Sequence, residues 1–309
     1  MFHVEHRHGL WVGEEVLSPP AEPTPMQLSD KRILAITNQK GGVGKTTSAI
    51  NIAAALATAD RRVLLVDGDP QGNATSGLGY TVSTEDPSLY EVLLGESSAE
   101  GAIRGGIHLP KLDLLPATPD LAGAEVELVN ELARESKLRR ALDPERAKYD
   151  YILIDCPPSL GLLTINMLAA ADSIIIPLQC EYFALEGLSQ LLRTVDMVRE
   201  NLNAGLTVGG VLLTMYDSRL NLSRQVADDA REHFGDLVFE TVIPRNIRLA
   251  EAPSYGKPIL MYDIASVGAS SYLAVARELM ARTESGATAS HQTSDFVDSS
   301  SQQGAITPP

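Results

Sequence analysis

The apolar positions of this chain form short unbroken runs, and longer segments with helical spacing of apolar and polar residues lie between them. A run that is apolar throughout is typical of a strand buried on both faces of a sheet. Such runs predict strands at Ile33–Ile36, Val63–Val66, Tyr151–Ile154, Ile174–Pro177 and Val208–Leu213, with Leu112–Leu115 as a further candidate. Helical spacing predicts helices at Thr46–Ala59, Leu160–Ala170, Leu185–Asn201, Leu222–Phe234 and roughly Ala269–Arg282. This alternation indicates an α/β fold with a doubly wound, mostly parallel sheet, whose ligands bind beyond the carboxyl ends of the strands.

The two ends of the chain differ in composition from its middle. Residues 1–30 carry four prolines and little apolar periodicity, and residues 284–309 are rich in Ser, Thr, Gln and Ala. Such segments cannot bury enough apolar surface to offset the entropy lost on ordering them. We therefore predict a disordered amino-terminal arm at 1–30, one folded domain at 31–283 and a disordered carboxyl-terminal tail at 284–309.

Composition and charge narrow the classes of function. The chain has 309 residues, is 44% hydrophobic and carries a formal net charge of −15. A charge of this sign opposes binding to nucleic acid, so any contact with DNA has to come from a local basic patch. The sequence shows neither an apolar run of about 18 residues, as a membrane span needs, nor a secretory signal. The two cysteines, Cys156 and Cys180, form no C-x-x-C pair, which favours a reducing cytosol over a metal or redox centre.

The strongest motif is a glycine-rich loop at residues 39–47, QKGGVGKTT, which follows the first predicted strand and opens the first predicted helix. Its glycines let backbone N–H groups face an anion, and the helix amino terminus adds a favourable dipole. Lys45 can reach the β- and γ-phosphates of a nucleotide, Thr46 can supply a hydroxyl to Mg²⁺, and Thr47 can hold a further phosphate. The phosphate-binding residues predicted here are Gly41, Gly42, Val43, Gly44, Lys45, Thr46 and Thr47.

Acidic residues stand at the ends of two other predicted strands. Asp69 lies beyond the strand Val63–Val66, where it can orient or activate an attacking water, and Asp67 can support this loop and the metal shell. Asp155 follows the strand Tyr151–Ile154 as the aspartate of a Walker B element does, and there it would hold a water on Mg²⁺. A turn-forming aspartate without a catalytic part is the alternative for Asp69 and, more strongly, for Asp67.

The phosphate loop departs from the common pattern G-x-x-x-x-G-K-[ST], because its first position is Gln39 and a second lysine, Lys40, follows. In this it resembles the deviant Walker A ATPases, a family that includes ParA, Soj, MinD and the nitrogenase iron protein. The resemblance implies that Lys40 reaches across a dimer interface to the partner's phosphates, as a nucleotide-binding and catalytic residue beside Lys45 and Asp69. A second cation supplied in trans would make dimerisation depend on the triphosphate.

Outside that loop the sequence resembles the ParA/Soj branch of the family over nearly all of residues 31–283. The matching segments are Asn38–Asn51, Val63–Gly79, Asp155–Thr164, Pro177–Leu188, Leu213–Asp217 and Val242–Tyr255. The resemblance implies a P-loop ATPase that uses ATP and Mg²⁺, turns over weakly without its partner and forms a homodimer when ATP is bound. It also implies that Met215, Pro244 and Asn246 border the adenine.

The same resemblance implies that the ATP-bound dimer binds double-stranded DNA without sequence preference through surface arginines. The matching positions are Arg219 and Arg248, with Arg224 as a weaker candidate, and the alternative is that these are ordinary surface arginines. Arginine suits contacts with backbone phosphate, which carry no sequence information. The implied partner is a ParB-type centromere-binding protein that stimulates hydrolysis and releases the dimer from DNA, and the implied location is the nucleoid in the cytoplasm.

Two other functions stay open. A MinD-like ATPase acting at a membrane would end in a basic amphipathic helix, whereas residues 283–309 contain no Lys or Arg, which disfavours a membrane partner. A regulator of replication initiation that acts through a protein partner is the other possibility. The nitrogenase branch is disfavoured, because the segments around Cys156 and Cys180 carry no cluster in ParA proteins.

The amino terminus suggests a hypothesis about the gene. Met1–His6 can be back-translated as ATG TTT CAC GTG GAA CAC, a near-palindrome that resembles the parS site read by ParB. We hypothesise that these residues reflect a parS site and that the arm has no role in the protein. The histidines His3, His6 and His8 in the same arm are weak support for a metal site.

Overall fold

The computed structural model describes residues 33–181 and 186–298, and within them one sheet of six strands. The strands are β1 (Ile33–Ile36), β2 (Val63–Asp67), β3 (Leu112–Leu115), β4 (Tyr151–Asp155), β5 (Ser173–Gln179) and β6 (Thr207–Thr214). They lie in the order β3-β2-β4-β1-β5-β6, and neighbouring strands pair in parallel. Parallel pairing puts all the carboxyl ends at one edge of the sheet, with those of β2, β4 and β1 side by side.

Helices connect the strands and cover both faces of the sheet. In chain order they are α1 (Lys45–Thr58), α2 (Asn73–Gly77), α3 (Leu89–Leu94), α4 (Ala99–Ala102), α5 (Leu121–Glu127), α6 (Lys137–Leu142), α7 (Leu162–Ala170), α8 (Glu186–Asn201), α9 (Asn221–Phe234), α10 (Ile247–Glu251), α11 (Ile259–Tyr262) and α12 (Val267–Asp298). Short 3-10 turns lie between several of them.

The pleat of the strands divides the core into two layers. In β1, Ile33 and Ala35 belong to an apolar cluster formed with α3, α5, α6, α7, α8 and α9, whereas Leu34 and Ile36 belong to a second cluster formed with α1 and α12. Successive side chains of a strand point to opposite faces. A strand buried in this way needs apolar residues at every position, which is the pattern that the sequence shows.

The predicted fold class is confirmed, and all six strands lie within one or two residues of their predicted ends. The predicted helices are present as α1, α7, α8, α9 and α12. Sequence reasoning missed α2 to α6, α10 and α11, which have at most seven residues each. One or two helical turns are too short to show a period of apolar positions.

The last helix ends later than predicted. An end near Arg282 was predicted, but α12 continues to Asp298, and residues 283–298 contain no proline that would break it. The limits of the folded domain at 31 and 283 stay predictions. The arm at 1–30, with the parS hypothesis and its histidines, and the tail beyond Asp298 lie outside the described residues. Among the described helices, none combines the length and the apolar character needed to cross a membrane.

Candidate active site

The phosphate loop joins β1 to α1 at the carboxyl edge of the sheet and is fastened to two other strands. Asn38 donates its Nδ2 to the carbonyl of Pro177 in β5 at 2.8 Å and accepts the N–H of Lys40 at 3.0 Å. Thr214, the last residue of β6, donates its hydroxyl to the carbonyl of Val43 at 2.8 Å. These bonds hold both halves of the loop in place.

Two glycines give the loop its curvature. The φ angle is 75° at Gly42 and 87° at Gly44, in the left-handed region that other residues rarely adopt. Gly44 directly precedes α1, so the loop ends at the unpaired N–H groups of the first helical turn. A Cβ at Gly41 or Gly42 would meet no atom within 4 Å, which shows open space beside this backbone. The loop therefore offers the backbone donors and the room that a phosphate group requires.

The two lysines of the loop differ in their surroundings. Lys45 is buried in the first turn of α1 and donates its Nζ to the carbonyl of Lys40 at 3.2 Å. Burial lowers the pKa of Lys45, and the nearby carboxylate of Asp155 offsets part of this effect. Lys40 is only half-buried, and within the described residues its ammonium makes no hydrogen bond or ion pair. Lys45 thus belongs to the site of its own chain, while the Lys40 ammonium is available to another group.

Asp155 lies at the centre of the site. At the end of β4 it stands opposite Ile36 of β1 and Asp67 of β2. Its side chain is fully buried, and neither carboxylate oxygen has a hydrogen-bond partner among the described residues. Burial, together with the charge of Asp67, raises the pKa of Asp155 well above its ordinary value, and the Thr46 hydroxyl is near enough to offset part of this rise although it does not meet the geometry of a hydrogen bond. Buried polar atoms are rarely left without partners, so these oxygens fit the hydration shell of a Mg²⁺ ion bound with the Thr46 hydroxyl.

Asp67 supports the loop that follows β2. Its carboxylate accepts the N–H and the hydroxyl of Thr75, each at 2.7 Å, and the N–H of Asp69 at 3.3 Å. Burial raises the pKa of Asp67 to about 6. Because the chain itself engages both oxygens, the geometry favours the predicted support of the loop over the predicted contact with metal.

Asp69 is held in this loop with one oxygen available. Its Oδ1 accepts the N–H of Gln71 at 2.9 Å, and within the described residues its Oδ2 has no hydrogen-bond partner. Burial lowers the pKa of Lys45, and the negative charge of Asp69 is one of those that offset part of this effect. The Asp69 carboxylate therefore lies close to the phosphate loop. This arrangement leaves an acceptor that can orient a water molecule, which is the role predicted for Asp69.

The three residues predicted at the adenine lie on two paired segments, of which the end of β6 contacts the phosphate loop. Met215 follows Thr214 with a φ of 50°, a strained conformation of the kind found at functional sites. The next residue, Tyr216, pairs with Pro244 as an isolated parallel bridge. Asn246 accepts the N–H of Arg248 and so caps α10. The end of β6 and the start of α10 therefore form one wall next to Val43.

The predicted DNA-binding arginines lie near this wall and are exposed. Arg219 follows β6, Arg248 lies in α10, and the Arg224 guanidinium in α9 contacts the amide oxygen of Asn221. The sequence reasoning did not single out Arg245, whose N–H donates to the carbonyl of Tyr216 at 3.1 Å and which is exposed on the same surface. The segment PRNIR contains both Arg245 and Arg248, so a count of its basic residues could have found it.

Sequence reasoning also missed two supporting residues. Thr75 accepts the N–H of Ala117 on its hydroxyl at 3.1 Å while it donates to Asp67, and so joins the β2 and β3 ends. Tyr272 of α12 lies with its hydroxyl 3.1 Å from that of Ser48 in α1. Neither contact has a signal in the sequence, because each joins segments far apart in the chain.

Comparison with known proteins gives the family. A family model described as an AAA domain matches residues 31–208. The chromosome partitioning protein ParA of Myxococcus xanthus is 60% identical over 251 residues, which make up 81% of this chain and 88% of that protein. This chain belongs to the ParA/Soj family. The sporulation initiation inhibitor protein Soj of Bacillus subtilis is 56% identical over 250 residues, 81% of this ParA/Soj chain and 98% of that protein.

Solved structures place this ParA/Soj family member among P-loop ATPases. The cobyrinic acid a,c-diamide synthase of Mycobacterium smegmatis with bound ADP and magnesium matches with a TM-score of 0.72 and 42% identity, over 83% of this chain and 96% of that one. The cell division ATPase MinD of Pyrococcus furiosus matches with a TM-score of 0.67 and 29% identity, over 81% and 98%. The ADP and magnesium of the first structure agree with the cofactor types predicted from the sequence.

Proposed function

We propose that this chain is a partition ATPase that uses ATP and Mg²⁺: two copies close around ATP, and the dimer binds DNA without sequence preference. In this proposal a ParB-type partner stimulates hydrolysis, and the dimer then leaves the DNA. The main support is the pair of lysines in one phosphate loop, because Lys45 is buried in its own site while the half-buried Lys40 ammonium is unengaged within the described residues. A cation that its own site does not use is suited to phosphate bound by a second copy.

Each group of the site has a part in the proposed reaction. The loop N–H groups and Lys45 hold the phosphates, and Asp69 orients the attacking water with its available oxygen. Thr46 and, through water, Asp155 would hold Mg²⁺, which when bound neutralises charge on the phosphate oxygens. Asp67 keeps the Asp69 loop in position through Thr75. In-line attack needs all of these groups in place, and the Lys40 of a second copy would complete them.

The DNA-binding part of the proposal follows from charge. The whole chain has a formal net charge of −15, so a single copy presents its arginines against a repulsive background. A dimer doubles the phosphate contacts of one copy, and affinity for DNA rises steeply with the number of such contacts. Binding to DNA would then require ATP, and a dimer that holds DNA would be associated with the nucleoid.

The names of the relatives favour partition over the other activities. Identity is 60% with the relative named a chromosome partitioning protein, against 42% with the synthase and 29% with MinD.

The two lysines give the test. Lys45→Ala should abolish ATP binding, because Lys45 lies inside the site of its own chain. Lys40→Ala should leave ATP binding to the monomer intact but remove ATP-dependent dimerisation, because its target is the partner's phosphate. Calorimetry with a non-hydrolysable ATP analogue measures the first property, and size-exclusion chromatography with light scattering measures the second.

Lys111→Ala is the matched control, since this lysine precedes β3 at the opposite edge of the sheet and pairs with Asp60 at 2.6 Å. It should change neither property. Equal loss of nucleotide affinity in Lys40→Ala and Lys45→Ala would refute the role of Lys40 in trans.

A further inference from the structure

The two arginines that match DNA-binding positions are held by carboxylates of their own chain. Arg219 donates its N–H, Nε and Nη2 to Asp217 at 3.1, 2.9 and 2.6 Å. Arg248 donates its Nη1 to Glu251 at 2.9 Å, and its Nε lies 3.5 Å from Asp263. Part of the donor set of each guanidinium is therefore already engaged by a carboxylate.

A third arginine on the same surface repeats the arrangement. The Nη2 of Arg245 lies 3.2 Å from the carboxylate of Glu181. The hydrogen bonds of Arg219, helped by the charge of Arg245, lower the pKa of Asp217 to about 2, so this carboxylate is ionised near neutral pH. Three arginines thus face four carboxylates, and together these groups carry no net positive charge.

We infer that these carboxylates compete with DNA phosphate for the arginines and hold the affinity of a single copy below the level needed for stable binding. The inference rests on the proposed DNA-binding function. The Arg219 side chain is 86% exposed while Asp217 is 13% exposed, so the guanidinium can turn to a phosphate but the carboxylate stays behind. A carboxylate left beside a phosphate repels it and takes up a cation from solution, which lowers the net release of counterions.

The ion pairs between these arginines and carboxylates are weak enough for DNA phosphate to displace the carboxylates. Exposed ion pairs contribute little free energy, because solvent screens them and the side chains lose freedom. One such pair therefore changes affinity only by a small factor, but every pair counts twice in a dimer. The carboxylates would weaken the single copy and the dimer alike, and the dimer would still bind DNA because it doubles the phosphate contacts.

The experiment compares Asp217→Asn with the wild type for binding to two unrelated DNA duplexes, in ATP and in ADP, across a salt series. Asparagine keeps the shape and one acceptor for the N–H of Arg219 but removes the charge. Asp228→Asn is the matched control: it removes the same charge from α9, where Asp228 lies 3.6 Å from Arg231.

Asp217→Asn should bind both duplexes more tightly, by about threefold per chain and so roughly tenfold for a dimer. The salt slope should become steeper by about 0.9 per chain, because the displaced carboxylate no longer takes up a cation. The gain should vanish when Arg219→Ala is combined with Asp217→Asn, since the competition needs both residues. Asp228→Asn should show less than half of the gain.

Unchanged affinity in a folded Asp217→Asn protein would overturn the inference, and weaker binding would instead make Asp217 a positioning residue for Arg219. If that variant does not fold, Glu251→Gln gives the same test at Arg248, and again only tighter binding supports the inference. A wild type that binds neither duplex with ATP overturns the proposed function as well. A wild type that binds both, with no gain in either variant, overturns this inference alone.

Discussion

At the scale of single residues, one buried pair of hydroxyls joins the phosphate-binding helix to the last helix. Tyr272 of α12 and Ser48 of α1 are both buried, and their oxygens lie 3.1 Å apart. Burial raises the pKa of Tyr272, so its hydroxyl stays protonated across the usual range of pH. Ser48 lies three residues after Lys45, so this contact helps to fix the first turns of α1 on which the phosphate loop depends.

Removing one hydroxyl of this pair should destabilise the protein more than removing both. Tyr272→Phe should lower the free energy of unfolding by about 1–3 kcal/mol, because it leaves a buried serine hydroxyl without its partner. Adding Ser48→Ala to that variant should recover most of the loss, since no unpaired group then remains. Urea denaturation at neutral pH measures both values, and additive losses would show that the two hydroxyls do not depend on each other.

At the scale of elements, two glycines let the end of α2 pack directly on the turn that follows α10. Gly79 and Gly256 have φ angles of 69° and 62°, and a Cβ on Gly256 would lie 2.6 Å from the Cα of Gly79. His108 ties the same contact, because its Nε2 lies 2.8 Å from the carbonyl of Leu78 and 2.7 Å from that of Gly256. The loop of Asp67 and Asp69 is thereby joined to the segment proposed to border the adenine.

Gly256→Ala should disturb this contact, with a loss of about 3 kcal/mol in the free energy of unfolding. Part of the loss is the left-handed backbone, which costs about 1–2 kcal/mol for a residue with a Cβ, and the rest is overpacking against backbone that cannot give way. Gly95→Ala separates the two effects: Gly95 is also left-handed, at 83°, but a Cβ there meets nothing within 4 Å. Urea denaturation measures both losses. Equal losses in the two variants would mean that the close approach of Gly256 to Gly79 does not add to the cost of the substitution.

Sequence reasoning found the elements that a run of consecutive residues identifies, and it missed those that depend on contacts between distant segments. Strands β1, β2 and β4 are buried on both faces, and a strand buried in this way is predicted by a continuous run of apolar residues. The phosphate loop was equally readable, because its glycines and lysines are consecutive. The partners of Asp67 and Arg219 were not predicted, since a hydrogen bond depends on side-chain orientation rather than on residue order. The short helices between β2 and β4 were missed because their stability comes from tertiary packing rather than from their own periodicity.

At the scale of the whole molecule, an acidic protein proposed to bind DNA needs several exposed arginines on one surface. The formal net charge is −15, and yet exposed arginines lie on two paired segments: Arg219 follows β6, and Arg245, which bonds to Tyr216, precedes Arg248 of α10. At physiological salt the field of distant charges is screened within about 8 Å, so these arginines can contact phosphate despite the overall charge once they turn away from their own carboxylates. Contact with backbone phosphate through such a patch would not depend on the sequence of the DNA.

Charge reversal of this patch should abolish DNA binding while leaving ATP binding intact. Arg219→Glu combined with Arg248→Glu removes two phosphate contacts per chain, so the salt slope of a dimer should fall by roughly 0.9 for each of four contacts. Arg231→Glu combined with Arg277→Glu is the matched control, with the same change of charge at two exposed arginines on α9 and α12. Binding to two unrelated duplexes across a salt series, with dimerisation followed by light scattering in ATP, measures the effect. An unchanged salt slope would place the DNA surface elsewhere. Loss of dimerisation together with DNA binding would instead assign Arg248 to the dimer interface or the adenine wall. Arg248 lies only two residues after Asn246, which caps α10 and is predicted to border the adenine.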